Sequence, residues 1–173
     1  NLDLQTQKAA EEILRYDRGA IVALDPRNGE VLALASSPAY DPNIFVPPVD
    51  AEAVREIISD KGRPLFNRAI QGLYPPGSVF KPINALAGLE SGALEKETRV
   101  WCSGVFRLGK RQYKCWYERG HGSVDVVDGL MMSCNVFFYT AGMRTGPHDM
   151  AEMACKFGID EKSGIDLPGE TEG

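Results

Sequence analysis

The sequence predicts an α/β (α+β) protein in which helices pack on an antiparallel sheet. Residues 20–24 and 31–35 are two apolar segments separated by a polar turn, which is typical of a β-hairpin. Around this hairpin, apolar residues recur at helical spacing in the segments 3–16, 78–90, 124–132, 135–143 and 149–157. Because a sheet and a helix must each cover an apolar face, these observations favour a layered domain.

Composition excludes some classes of protein. With 173 residues, 43% hydrophobic and 25% charged, the chain has the balance of a soluble globular domain. Its net charge of -5 argues against a nucleic-acid partner. The residues given show neither the pattern of a secretory signal nor the roughly 18 consecutive apolar residues that would predict a membrane span. Because it starts within a helical pattern and stops in a polar loop at 168–173, we expect a segment of a longer protein.

Capping residues and the pattern of apolar residues predict the first helix and the hairpin. Asp3 is expected to cap a helix that runs to about Tyr16 and packs on the sheet, with an apolar face of Leu2, Ala9, Ile13 and Tyr16. Both hairpin strands are almost entirely apolar, which predicts burial on both faces. Residues 36–71 carry many prolines and are predicted to be loop-rich, with one short helix near 51–59.

The second half alternates irregular and helical segments. Residues 98–123 show no hydrophobic period, which predicts an ordered or metal-held excursion without regular structure. Two helices are then expected to meet at residues 133–135. In the last helix, Cys155 is predicted to lie in the core and His148 at the surface near the helix start.

Ser78 and Lys81 are the candidate catalytic pair. They lie three residues apart at the predicted start of a helix, where side chains at this spacing share a face. A serine needs a neighbouring base, and a desolvated lysine supplies one once its pKa falls. The helix N-terminus can also stabilise an oxyanion beside Ser78. The alternative is that Ser78 only caps the helix while Lys81 extends into solvent.

The setting favours the catalytic interpretation. Residues 74–77 (Tyr-Pro-Pro-Gly) predict a tight turn just before Ser78. Ser133 and Asn135 lie at a predicted helix junction, where their spacing can direct a hydroxyl and a carboxamide into one cleft. Both of these residues also suit helix capping.

Residues 74–82 (Tyr-Pro-Pro-Gly-Ser-Val-Phe-Lys-Pro) resemble the active-site serine segment of class B penicillin-binding proteins. Residues 19–34, 67–69 (Asn-Arg-Ala) and 164–170 (Gly-Ile-Asp-Leu-Pro-Gly-Glu) resemble other segments of the same family. The resemblance implies a penicillin-binding transpeptidase or β-lactamase-like fold. Residues 1–173 would be the N-terminal part of a transpeptidase domain that lacks its C-terminal strands.

The resemblance also implies a function. Ser78 would attack the penultimate D-alanine of a peptidoglycan stem peptide, and Lys81 would accept its proton. Ser133 would relay a proton to the leaving amine, and Asn135 would hold the substrate amide. β-Lactams would acylate Ser78. The full-length protein would be anchored at the periplasmic face of the bacterial inner membrane, together with cell-wall synthesis proteins.

The family's third motif, a Lys-[Thr/Ser]-Gly strand, is not predicted in this chain. Residues 162–164 (Lys-Ser-Gly) match it as text, but they lie in a polar turn rather than in a strand. We therefore expect an incomplete site that is acylated slowly or not at all.

Three cysteines and a histidine form a candidate structural zinc set: Cys102, Cys115, His121 and Cys134. This region resembles the elongation-type branch, penicillin-binding protein 2, in which some members place a metal. Zinc would tie the excursion to the Ser133–Asn135 turn without taking part in hydrolysis. The alternatives are a Cys102–Cys115 disulfide and buried free thiols.

The leading function is a D,D-transpeptidase that needs no catalytic cofactor. A β-lactamase is less favoured because no deacylating carboxylate motif is recognised. A non-catalytic penicillin sensor would stop at the acyl-enzyme. A zinc-held interaction domain would use Ser78 only as a helix cap.

Overall fold

The hairpin predicted from the apolar segments forms the centre of the first of two units. The computed structural model describes residues 2–173, and this unit comprises the described residues up to Leu73 together with Ile165–Thr171. Strands β1 (Gly19–Leu24) and β2 (Val31–Ser37) pair antiparallel. Helix α1 (Leu4–Leu14) begins after Asp3, whose carboxylate accepts a hydrogen bond from the Thr6 backbone N–H, and packs on β2.

The packing face of α1 was predicted wrongly. Ala10 and Leu14, one turn apart, are buried against Ala33 and Ala35 of β2. Leu2, Ala9, Ile13 and Tyr16 are exposed instead. Because Ala33 and Ala35 are small, α1 can approach β2 closely. The face of α1 that carries Ala10 and Leu14 therefore packs on the strand, although the predicted face of the helix is more apolar.

The prediction that both faces of the hairpin are buried was also wrong. Val22 and Leu24 of β1 are 46% and 56% exposed. The sheet has two strands, and α1 covers one of its faces.

The rest of the first unit is loop-rich, as predicted. It contains a 3₁₀ turn (Pro42–Phe45), α2 (Ala51–Ser59) and α3 (Arg68–Gln71). Each begins after a residue whose side chain accepts a backbone N–H: Asp41, Asp50 and Asn67. These caps explain how short helices form in a segment with many prolines.

The second unit comprises Tyr74–Gly164 with Glu172 and Gly173. Its helices follow a 3₁₀ turn (Gly77–Phe80) and are α4 (Lys81–Glu90), α5 (Val126–Met131), α6 (Asn135–Thr145) and α7 (Pro147–Lys156). Helix α6 is central, because its Phe137, Phe138 and Ala141 are buried in the main core. α4 packs against both α6 and α7.

Residues 98–123 are more regular than predicted. They contain strands β3 (Val100–Cys102), β4 (Val105–Leu108) and β5 (Arg111–Lys114), and β6 (Gly122–Val124) begins at their end. β3 pairs with β6, and β4 pairs with β5. Strands of three or four residues are too short to show a two-residue period, so the pattern gave no signal.

No helix in the part of the chain that the structure describes is long and apolar enough to cross a membrane.

Candidate active site

Ser78 is exposed in the 3₁₀ turn that leads into α4, and α4 begins at Lys81 rather than at Ser78 as predicted. Gly77 just before it has φ +58°, a left-handed conformation that glycine adopts without strain. Lys81 is the first residue of α4 and is partly buried. The turn therefore places the hydroxyl at the surface and the lysine stem one turn deeper.

The second part of the site is the turn between α5 and α6. Ser133 has φ 50°, an uncommon conformation for a residue with a Cβ. Cys134 follows as the N-cap of α6, with its sulfur accepting the Phe137 N–H at 3.4 Å, and it is fully buried. Asn135 then opens the helix. This turn thus buries the Cys134 side chain, while Ser133 and Asn135 on either side remain in contact with Lys81.

The amine of Lys81 joins the two parts. Its Nζ donates to the Ser133 carbonyl at 2.7 Å, to Ser133 Oγ at 2.9 Å and to Asn135 Oδ1 at 2.7 Å. Ser133 Oγ in turn donates to Ser78 Oγ at 3.2 Å. The four residues predicted as catalytic therefore lie in one hydrogen-bonded chain.

The connection from Lys81 to Ser78 runs through Ser133. Among the hydrogen bonds of the described residues, those of the Lys81 side chain go to Ser133 and Asn135. Helical spacing predicted a direct approach of amine to Ser78 hydroxyl. The turn before α6 instead offers the amine three oxygen acceptors in one place.

Burial lowers the pKa of the Lys81 amine, and charge interactions with the nearby Cys115 and Cys134 side chains oppose this shift only in part. A neutral amine has two N–H donors and one lone pair. It can donate to the two carbonyl oxygens at 2.7 Å and accept from the Ser133 hydroxyl, whose hydrogen can rotate. The site is therefore suited to remove a proton from Ser78 through Ser133.

The predicted metal-binding residues also converge. The ligand atoms of Cys102, Cys115, His121 and Cys134 all lie within 4.8 Å of one another. His121 Nδ1 is 3.6 Å from the sulfurs of both Cys102 and Cys115. Zn–S bonds of about 2.3 Å and Zn–N bonds of about 2.0–2.1 Å at tetrahedral angles would separate nitrogen and sulfur by about 3.5 Å. The two nitrogen–sulfur distances of His121 fit that spacing.

Two glycines allow the cluster loops to approach each other. Gly104 and Gly120 have φ +87° and +80°. A Cβ on Gly104 would collide with the Glu118 carbonyl, and one on Gly120 would collide with the Cys102 carbonyl. Only glycine fits either position, so the segment before His121 can lie directly against the segment after Cys102.

The thiols of the cluster differ in acidity. Burial raises the pKa of Cys134 to about 12. Burial also acts to raise the pKa of Cys115, but the backbone N–H groups of Tyr117, Asn135 and Val136 outweigh it and the pKa is lowered. All of these cysteines are free thiols in the structure.

Two residues that the sequence interpretation missed support the site. Trp116 donates its indole N–H to the Met132 carbonyl at 2.9 Å, next to Ser133. It also lines an open hollow of about 520 Å³ that reaches Ser133. Asn84, one turn after Lys81, donates to the Phe138 carbonyl at 3.2 Å and ties α4 to α6. Asn84 could have been found from the sequence, because it is a polar residue within an otherwise apolar helix.

Three other predictions have clear outcomes. Residues 162–164 lie in no strand, as expected. His148 is exposed in the first turn of α7, also as expected. Cys155 was wrongly placed in the core, because it is exposed and its sulfur donates to Asp160 at 3.1 Å. α7 uses Met153 on its packed face instead.

An exposed serine linked to a partly buried lysine through a second hydroxyl can serve as the activated nucleophile of an acyl-serine enzyme. The penicillin-binding protein transpeptidase domain model matches residues 19–173. The chain therefore belongs to the penicillin-binding protein transpeptidase family. The fold and family predicted from the motifs are confirmed.

Curated relatives and solved structures support the same family membership. Peptidoglycan D,D-transpeptidase MrdA of Acinetobacter baumannii is 40% identical over 175 residues, which is 100% of this chain and 26% of the relative. The crystal structure of Pseudomonas aeruginosa PBP2 in complex with WCK 5153 is similar with a TM-score of 0.90 at 38% identity, covering 99% of this chain and 40% of that chain. Helicobacter pylori PBP2 in its complex with MreC has a TM-score of 0.93 at 33% identity, covering 100% and 33%. The chain thus spans about a quarter of the length of the curated relative.

The strained backbone of Ser133 gives a testable prediction. Ser133→Ala and Ser133→Gly both remove the hydroxyl, but only glycine adopts φ 50° without a Cβ clash. We expect Ser133→Gly to exceed Ser133→Ala by about 1 kcal/mol in the free energy of unfolding, measured by urea denaturation. Equal stability of the two variants would show that the turn is not strained.

Proposed function

We propose that this chain carries the nucleophile of a peptidoglycan D,D-transpeptidase that cross-links the cell wall. The observation that carries the proposal is the hydrogen-bonded chain from Ser78 through Ser133 to Lys81, with Asn135 on the same amine. Family membership supports the same reaction class. The substrates are stem peptides, and β-lactams acylate the same serine.

The first half-reaction forms an ester. Ser78 Oγ attacks the carbonyl carbon of the penultimate D-alanine as its proton passes through Ser133 to the neutral Lys81 amine. The peptide C–N bond then breaks, and the terminal D-alanine leaves with a proton returned through the same hydroxyl. The positive end of the α4 dipole favours the negative charge on the carbonyl oxygen.

The second half-reaction forms the cross-link. An amine from a neighbouring stem peptide attacks the ester and loses a proton to Lys81, and Ser78 leaves with a proton restored. Asn135 keeps the amine of Lys81 in place with Oδ1, and its carboxamide is proposed to hold the substrate amide as well. Neither half-reaction needs a cofactor.

The longer protein is proposed by analogy with its relatives. Residues 1–173 would form the N-terminal part of its transpeptidase domain, with a Lys-[Thr/Ser]-Gly strand supplied elsewhere. The protein would be anchored at the periplasmic face of the bacterial inner membrane. Because a Helicobacter pylori relative is recorded in a complex with MreC, a similar cell-wall synthesis protein is the proposed partner.

A chimaera tests the function. This chain replaces the matching segment of the Acinetobacter baumannii relative, and the product is treated with penicillin and analysed by mass spectrometry. We expect one adduct, on Ser78, and none in Ser78→Ala. Lys81→Met should slow acylation by about 100-fold or more, because a positioned base contributes that much. As a control, Lys96→Met, at an exposed lysine of the same unit, should acylate at the parental rate.

Three outcomes of this experiment would weigh against the proposal. An adduct on another residue, or unchanged acylation in Lys81→Met, would contradict the proposed chemistry. Failure of the same chimaera to turn over a stem-peptide mimic would weigh against a transpeptidase, since turnover separates the enzyme from a penicillin sensor and a permanent adduct fits either.

We also propose that Cys102, Cys115, His121 and Cys134 hold a structural zinc ion. Support comes from the donor set, the convergence of its ligand atoms and the burial of all three sulfurs. A bound zinc would keep the thiols deprotonated and stabilise the loops around the Ser133–Asn135 turn. The ion would have no part in the reaction itself.

Metal analysis tests the zinc proposal. Protein purified without added zinc should contain about one equivalent, because a closed site of this type binds tightly. Cys134→Ser should lose the metal, whereas Cys155→Ser, at an exposed cysteine outside the cluster, should retain it. A metal content below about a tenth of an equivalent would remove the proposal. A Cys102–Cys115 disulfide found by mass mapping would replace it.

A further inference from the structure

The hairpin of β4 and β5 is strongly basic. Its two strands are joined by a two-residue turn, Gly109–Lys110, with the glycine at φ +59°. Four exposed cationic residues lie along it, and residues 105–114 contain no acidic residue. The chain as a whole has a net charge of -5, so this concentration of positive charge stands against the overall balance. We name these four residues the basic hairpin: Arg107, Lys110, Arg111 and Lys114.

The charges of the basic hairpin are almost unneutralised. Of the ion pairs formed by the described residues, one involves it: Lys114 lies 3.8 Å from Glu118, and both side chains are largely exposed. Such a pair contributes little. The three other cations have no acidic partner in the part of the chain that the structure describes. The hairpin therefore presents a surface that an anionic ligand would complement.

The hairpin of β4 and β5 lies beside the candidate active site. Asn135 Nδ2 donates to the Lys114 carbonyl at 3.3 Å, so β5 ends at a candidate catalytic residue. The rings of Phe106 and Tyr113 each contact Tyr139 of α6, with centroids 5.6 Å away. At about 3.3 Å per residue, Arg111 lies roughly 10 Å along the strand from Lys114.

Strand register separates the roles of the two faces. Phe106 pairs with Tyr113, and this face packs on α6. Arg107 pairs with Gln112, so by alternation Arg107 and Lys114 lie on the opposite face. Arg111 lies on the aromatic face but at its exposed end near the turn. The aromatic pair therefore fixes the hairpin, while its tip and its opposite face stay available.

We propose that the basic hairpin binds the carboxylates of an acidic peptide, namely the stem peptide of the substrate, and guides it towards Ser78. This proposal rests on the proposed transpeptidase function. Arginine matches a carboxylate with two parallel hydrogen bonds, and a strip of separated cations suits an extended peptide. A membrane surface is a poorer fit, because the hairpin tip offers one apolar side chain, Leu108, for insertion.

Matched triple variants test the proposal. Arg107→Gln, Lys110→Gln and Arg111→Gln are combined in one variant. The control combines Lys96→Gln, Arg144→Gln and Lys162→Gln, which remove the same charge from exposed positions of the same unit. Each is titrated at low salt with a synthetic stem pentapeptide, and with the same peptide after amidation of its carboxylates.

We expect the hairpin variant to bind the acidic peptide about tenfold more weakly, because three exposed pairs are lost together. The control should lose less than about twofold, and added salt should reduce wild-type binding. The amidated peptide should bind wild type and hairpin variant equally weakly.

Equal weakening in both variants, or unchanged binding in the hairpin variant, would overturn the proposal. So would hairpin-dependent binding to phosphatidylglycerol vesicles without binding to the peptide, which would assign the surface to the membrane. The peptide titration alone decides the role of the hairpin. Penicillin acylation of Ser78 and turnover of a stem-peptide mimic, both in the unmodified chimaera, decide the proposed function, so the two failures are distinguishable.

Discussion

The amine of Lys81 is the group on which the candidate site depends. It takes its oxygen partners from a turn more than 50 residues later in the chain, and it connects to Ser78 through one of them. A lysine in solvent would be charged and could not accept a proton. Packing α4 against α6 therefore does two things at once: it lowers the pKa of the amine and it assembles the acceptors that orient it.

The turn that receives this amine is held from both sides. Below it, buried Cys134 caps α6 and belongs to the cysteine and histidine cluster. Beside it, Asn135 bonds to the end of the basic hairpin and Trp116 bonds to the carbonyl of Met132. A strained residue such as Ser133 persists only where its surroundings determine its conformation. The cluster and the hairpin supply that constraint, so the candidate active site depends on the residues of the candidate metal site.

Local signals in the sequence predicted the residues of the site but not how they connect. Gly77 and the prolines before it identified the start of α4, and the spacing of Ser133 and Asn135 identified a helix junction. That Ser133 lies between Lys81 and Ser78 depends on how α4 packs on α6, which no local pattern contains. The buried face of α1 and the position of Cys155 were wrong for the same reason, since both are decided by partners distant in sequence. The short strands within 98–123 escaped detection because each was too brief to show a period.

The central claim is that Lys81 is a neutral amine when Ser78 reacts. Its most direct test is a pH titration of the Lys81 side chain by NMR, with isotope-labelled lysine and Lys81→Met to assign the signal, alongside the acylation rate of the chimaera over the same range. A base with a lowered pKa gains activity as pH rises, so we expect the signal and the rate to share a midpoint below the ordinary lysine value of about 10.4. A Lys81 signal that titrates at or above that value, with acylation already complete at lower pH, would contradict the account.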